Sequence, residues 1–105
     1  MYDVKVTTDL VYAVVDGQRL LADLYRPATE RCPPIVLYVH GGGFEVGSRS
    51  GDAKSRLAGL AAHGLAVPSI DYRFAPAAHF PDQLHDVKAA VRWVTRTRFS
   101  PRYRQ

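Results

Sequence analysis

The stretch Ile35-Val36-Leu37-Tyr38-Val39-His40-Gly41-Gly42-Gly43 decides the fold of this 105-residue chain. Its apolar part lacks the alternation of a half-exposed strand and has strand length. That pattern suits a strand covered on both faces of a mostly parallel sheet, and a central strand is expected over 35–39. The glycines end it abruptly. Without a Cβ their backbone can take unusual φ/ψ values, and a carbonyl group can approach their N–H groups closely. Amides placed this way can face a developing oxyanion, and losing one such donor costs on the order of 10²- to 10³-fold in rate. The alternative is a glycine-rich turn with no ligand. A phosphate loop is disfavoured, because neither G-x-G-x-x-G nor G-x-x-x-x-G-K-[ST] is present.

Upstream, residues 4 to 15 and Leu20 to Arg26 are rich in extended-chain types, with Asp16-Gly17 between them. Asp-Gly tolerates the positive φ of a type I′ turn, so an antiparallel hairpin is expected. A loop through Pro27 and Cys32-Pro33-Pro34 follows. Downstream, Asp52 is a suitable N-cap, Ala53, Leu57, Leu60 and Ala61 recur at helical spacing, and Gly64 stands where a left-handed C-terminal cap belongs. Leu65 to Ile70 reads as a further buried strand. Pro68 within it removes a ladder hydrogen bond, and a bulge or local loss of pairing is expected there. After a loop with Pro76 and Pro81, Leu84, Val87, Val91 and Val94 mark one stripe of an amphipathic second helix. Ala90 and Trp93 lie beside that stripe, and Asp82 sits near the positive end of the dipole. Strands alternating with helices after a hairpin indicate an α/β sheet with right-handed crossovers.

A hydrophobic fraction of 47% and a charged fraction of 23% are ordinary for a globular protein. A domain of this size buries only roughly 65% of the surface its unfolded form exposes, so the core is thin. No apolar run approaches the ~18 residues of a membrane span, and Met1-Tyr2-Asp3-Val4-Lys5 has no signal-peptide character; no membrane partner and a cytoplasmic location are expected. Cys32 is the single cysteine, which excludes an internal disulfide. Together with His40, His63, His79 and His85 it lacks zinc-ligand spacing, so neither a metal nor another cofactor is expected. Within the net charge of +4, Arg92, Arg96, Arg98, Arg102 and Arg104 interleave with Trp93, Phe99 and Tyr103. A nucleic-acid-contacting tail has this composition, but so does a solvated helix face running into a basic loop, and the latter is preferred. No nucleic-acid partner is expected.

Three segments together carry a resemblance: His40-Gly41-Gly42-Gly43-Phe44, Asp71-Tyr72-Arg73-Phe74-Ala75-Pro76, and Phe80-Pro81-Asp82-Gln83-Leu84-His85-Asp86-Val87. In order and spacing the chain resembles the hormone-sensitive-lipase-like and feruloyl-esterase-like α/β-hydrolases over essentially its whole length. The resemblance implies that residues 1–105 are a partial α/β-hydrolase domain, the N-terminal portion of that fold, with the strand before His40 as its third. It implies a carboxylic-ester hydrolase of the serine esterase/lipase type acting on a small-molecule ester. On the same ground Gly42 and Gly43 would be oxyanion-hole donors. His40, beside Gly41, would brace the loop instead of serving as the general base. Asp71, Tyr72, Arg73 and Asp86 would hold loops in place by hydrogen bonds and ion pairs.

The departures bear on activity. The family's nucleophile lies in a G-x-S-x-G elbow after the next strand, with its acid and histidine later still, and none of these is in the chain. The serines are Ser48, Ser50, Ser55, Ser69 and Ser100; Gly47-Ser48-Arg49-Ser50-Gly51 imitates the motif but centres on Arg49. An improvised triad of Ser48 or Ser50 with His63, His79 or His85 is disfavoured, since surface serines and loop histidines are common. The expectation is therefore no catalytic residue in the chain and no turnover by it alone. The alternative is a non-catalytic remnant or association module. The strand that would pair with 35–39 is missing, and an apolar edge left open invites self-association.

Overall fold

A computed structural model of the chain describes residues 1–29, 31–40, 54–73 and 81–97. In chain order its elements are β1 (Val4–Val15), β2 (Gln18–Pro27), β3 (Tyr38–Val39), α1 (Lys54–Ala62), β4 (Val67–Ile70) and α2 (Asp82–Thr97). Asp16 and Gly17 join β1 to β2 with φ of 50° and 77°, the left-handed geometry the expected hairpin turn requires. β1 carries irregularities between Thr7 and Leu10 and between Val11 and Ala13, each placing one extra residue against β2. At the first, Asp9 has φ 61° and its N–H donates to Asp23 Oδ1 at 3.2 Å. These are β-bulges, which bend a strand and increase its twist.

The strands form one sheet in the order β1-β2-β4-β3, with β1–β2 and β2–β4 antiparallel and β3–β4 parallel. α2 covers one face, where Ala90 and Trp93 join Leu10, Tyr12, Leu20, Ala22, Leu24 and Ile70. α1 covers the other, where Leu57 and Ala61 meet Tyr25 and Val67. α1 ends in a two-bond C-terminal motif. Gly64 N–H donates to Ala61 O at 3.0 Å and Leu65 N–H to Leu60 O at 3.2 Å, with Gly64 at φ 99°. Both bonds satisfy carbonyls that the helix end would leave open, and the left-handed residue reverses the chain into β4. The expected cap at Gly64 is thus present; the expected N-cap, Asp52, lies outside the described residues.

Three expectations need correction. The strand over 35–39 is neither continuous nor central: β3 holds only Tyr38–Val39, with an isolated Ile35↔Ala66 bridge, and it stands at the sheet margin among the described residues. Pro68 supplies part of the reason. Asp71 N–H donates to Leu21 O at 2.9 Å and Ala66 N–H to Pro34 O at 2.8 Å. Alternation along the strand therefore turns the backbone edges of 67, 69 and 71 toward β2 and those of 66, 68 and 70 toward β3. The missing N–H of Pro68 costs β3 the rung it would have made with the carbonyl of Val36, and nothing is lost on the β2 side. So the expected loss of pairing occurs on one side. The bulge does not, because Leu24↔Pro68 lies in unbroken register and Ile35↔Ala66 shares its offset with Tyr38↔Ser69. The strand placed over Leu65 to Ile70 likewise shortens to Val67–Ile70.

The third correction concerns α2. Its buried residues are Gln83, Asp86, Ala90 and Trp93, whereas Leu84 and Val91 are exposed and only Val87 and Val94 of the expected stripe pack against the core. The inward face begins with two polar residues, so a count of apolar positions rotates the helix away from its true seat. Asp86 can face inward because it is paired, as described next.

Candidate functional site

β3 and β4 run parallel, so their C-terminal ends lie side by side, and the chain leaves them through His40 and Asp71-Tyr72-Arg73. Parallel strands put such ends at one margin of the sheet, where open α/β sheets bind ligands. His40 is 7% exposed and Tyr72 4% exposed. Their rings stack with centroids 4.5 Å apart and planes 17° from parallel. The Tyr72 hydroxyl also donates to the His40 carbonyl at 3.1 Å. One tyrosine thus holds both the side chain and the backbone of the residue that precedes the three glycines in sequence. Gly41, Gly42 and Gly43 themselves lie outside the described residues.

Arg73 anchors the neighbouring turn to α2. Its backbone N–H donates to Asp86 Oδ2 at 2.8 Å, its Nε lies 3.0 Å from both Asp86 oxygens, and Nη2 reaches Asp86 Oδ1 at 2.8 Å and Asp82 O at 3.3 Å. A fork of charge-assisted bonds is the geometry in which a guanidinium fixes a carboxylate most firmly. Its hydrogen bonds to Asp86 hold the guanidinium above its ordinary range; burial opposes this, and the charges of Asp86, Asp82 and Asp16 add to it. Asp16 stands 3.9 Å from Nη1 with its side chain 94% exposed, so its part is small.

Tyr12 of β1 reaches the same turn from below. Its hydroxyl donates to the Asp71 carbonyl, its ring sits 6.1 Å from that of Trp93, and the Asp71 N–H is held by Leu21 O. Burial first, then the negative charges of Asp86 and Asp71, raise the Tyr12 phenol above its usual 10.0 against the opposing pull of Arg73. Sequence reasoning named His40, Asp71, Tyr72, Arg73 and Asp86, and the structure brings these together. It missed Tyr12 and Asp16, which arrive from the hairpin. No local signal marks them, since Tyr12 is one aromatic among many strand residues and Asp16 reads as a turn former.

The remaining candidates lie elsewhere. Ser69 is fully buried in β4 and Ser55 is exposed on α1. His63 is exposed at the end of α1 with Nδ1 2.8 Å from Gly59 O, and His85 is exposed on α2. Ser48, Ser50, Ser100 and His79 are outside the described residues. Among the described residues there is no group of His, Cys, Asp and Glu able to hold a metal ion, and no helix long and apolar enough to cross a membrane.

A mixed sheet covered by one helix on each face has the architecture of an α/β-hydrolase, and comparison with known proteins agrees. The BD-FAE family model matches residues 22–99. Esterase LipI of Mycobacterium tuberculosis is 42% identical over 77 residues, covering 68% of this chain and 23% of LipI. The non-reducing polyketide synthase nvfA of Aspergillus novofumigatus is 37% identical over 98 residues, 88% of this chain and 4% of the synthase. Among solved structures, esterase B from Lactobacillus rhamnosis aligns over 90% of this chain and 31% of its own, with 33% identity and a TM-score of 0.76. Esterase 2 of Thermogutta terrifontis aligns over 90% of this chain and 34% of its own, with 26% identity and a TM-score of 0.75. The chain belongs to the BD-FAE family of α/β-hydrolase esterases and represents the N-terminal part of their fold. It spans about a third or less of the length of these relatives.

Proposed function

We propose that this chain supplies the oxyanion loop of a serine-type carboxylic-ester hydrolase and does not turn over esters by itself. The observation that carries the reading is the double hold on His40, through ring and carbonyl, at the C-terminal end of β3. In the complete enzyme a serine from a G-x-S-x-G elbow attacks the acyl carbon and a histidine takes its proton. The amides of Gly42 and Gly43 receive the charge developing on the carbonyl oxygen. Asp71, Tyr72, Arg73 and Asp86 keep the turn beside that loop in place, and His40 braces the loop without exchanging protons with substrate. A lone exposed cysteine, Cys32, suits the cytoplasmic location proposed with this function.

The test compares two polypeptides on a short-chain p-nitrophenyl ester. The 105-residue chain is expected to be inert. The same chain continued in frame through a G-x-S-x-G elbow and the later acid and histidine is expected to hydrolyse the ester. In that longer form Gly43→Pro removes one N–H donor and should lower kcat on the order of 10²- to 10³-fold. Turnover by the short chain that a serine-directed phosphonate abolishes, or an unchanged kcat in the proline variant, defeats the proposal.

A second reading rests on the exposure of Val39 in β3 and of Val36 just before it. An apolar strand with no described neighbour on its outer side is a template for a further strand, so the chain can act as an association module. Its test is given at the molecular scale below.

A further inference from the structure

His40 directly follows β3, and the structure shows what holds that residue and what holds its holder. Tyr72 grips His40 by stacking and by the hydroxyl bond to its carbonyl. Tyr72 in turn sits between two backbone anchors. Behind it the Tyr12 hydroxyl holds the Asp71 carbonyl. Ahead of it Asp86 accepts the Arg73 N–H at 2.8 Å. The Asp71 carbonyl belongs to the peptide unit that carries the Tyr72 N–H, so rotation of that unit moves the Tyr72 side chain directly. Tyr12 is 5% exposed and packs beside Trp93, which leaves its hydroxyl little freedom to seek another acceptor.

We propose that Tyr12 is a positioning residue for His40: by holding the Asp71 carbonyl it orients Tyr72, and Tyr72 sets the ring and carbonyl of His40. This rests on the reading of residues 40–43 as an oxyanion loop. A site of that kind needs its donors held to within about 0.5 Å, and rigid neighbours provide that precision. The hydroxyl of Tyr12 thus connects the opening hairpin to the reactive margin of the sheet across 59 residues of sequence.

The experiment is nuclear magnetic resonance on the 105-residue chain, following the His40 carbonyl carbon, the His40 ring protons and the Gly41 amide. Tyr12→Phe keeps the ring beside Trp93 and removes only the hydroxyl. It is expected to shift all three signals, with the ring protons moving as the stack with Tyr72 is altered. Tyr72→Phe is expected to shift the His40 carbonyl and Gly41 signals further. If Tyr12 acts through Tyr72, the double variant should match Tyr72→Phe alone at the His40 carbonyl. A residue that merely adds stability would leave these signals in place, or act additively. Unchanged His40 signals in Tyr12→Phe, or additive shifts in the double variant, overturn the proposal. Should Tyr12→Phe fail to fold, Trp93→Phe loosens the seat of the Tyr12 ring while keeping its hydroxyl. It must then shift the same signals, and their constancy is equally fatal. No ester turnover enters this readout, so a broken relay in an active esterase and an intact relay in an inactive one are separate results.

Discussion

Tyr72 makes two contacts with one residue, and removing its hydroxyl separates them. Tyr72→Phe keeps the stacking surface but leaves the buried His40 carbonyl without this donor, which costs about 1–3 kcal/mol. Urea denaturation should show a lower midpoint with an unchanged slope. Asp86→Asn is harsher. Asp86 is 1% exposed and Arg73 14%, so the amide leaves a mostly buried guanidinium facing a neutral partner. Because one acceptor oxygen remains, the loss falls toward the lower end of the roughly 3–5 kcal/mol typical of breaking a buried pair, again read from urea midpoints. Tyr12 sets an alkaline limit. Its folded pKa lies above the unfolded value of 10.0, so the folded state keeps a proton that the unfolded chain releases. Its contribution is whole below pH 10 and is lost progressively as pH rises beyond it. Thermal unfolding followed from pH 9 upward should fall less steeply in Tyr12→Phe than in the parent. At this scale His40, Asp71, Tyr72, Arg73 and Asp86 could be named because their motifs are short and local. Tyr12 could not, since its part depends on a hairpin folding back across the sheet.

Helix α1 and strand β4 are joined by the Gly64 cap, and this turn depends on one residue type. At φ 99° a side chain is strained, and a Cβ there would lie 3.3 Å from Tyr2 Cε2. Gly64→Ala should destabilise the chain by about 1–2 kcal/mol in urea denaturation, most of it conformational because the Tyr2 ring can yield. By contrast Gly17→Asn should change the midpoint little. Nothing lies within 4 Å of a Cβ at Gly17, and asparagine tolerates a left-handed φ. Both turns could be read in advance, since glycine after an apolar period and Asp-Gly between strands each act within a few residues. The bulge at Asp9 could not, because one aspartate among strand formers also suits a solvent-facing strand position, and the left-handed φ is stabilised by Asp23, far along the chain. The face of α2 was misjudged for a related reason. Asp86 looks like a surface residue until Arg73 is known to meet it.

The molecule as a whole has unequal margins. On one side the exposed apolar side chains are Val36, at 42%, and Val39 of β3, at 37%, with no described strand beyond them. Val39→Lys places a charge on this edge, a common natural defence against strand pairing. The parent should elute from size exclusion at a volume that falls as its concentration rises, and the variant at a constant monomer volume. A constant volume for both would remove the association reading. The α/β character was legible, because a continuous apolar run, a capped helix and a second buried run follow in order. The shortness of β3 was legible only in part, since Pro68 signals a lost rung but not which neighbouring strand loses it. On the other side β1 is kinked twice, with Asp9 pinned inward to Asp23. Such a contour matches poorly to a straight incoming strand. Among the described residues, two copies paired along β3 would turn only this crooked strand toward a third, and growth beyond the pair is expected to be disfavoured.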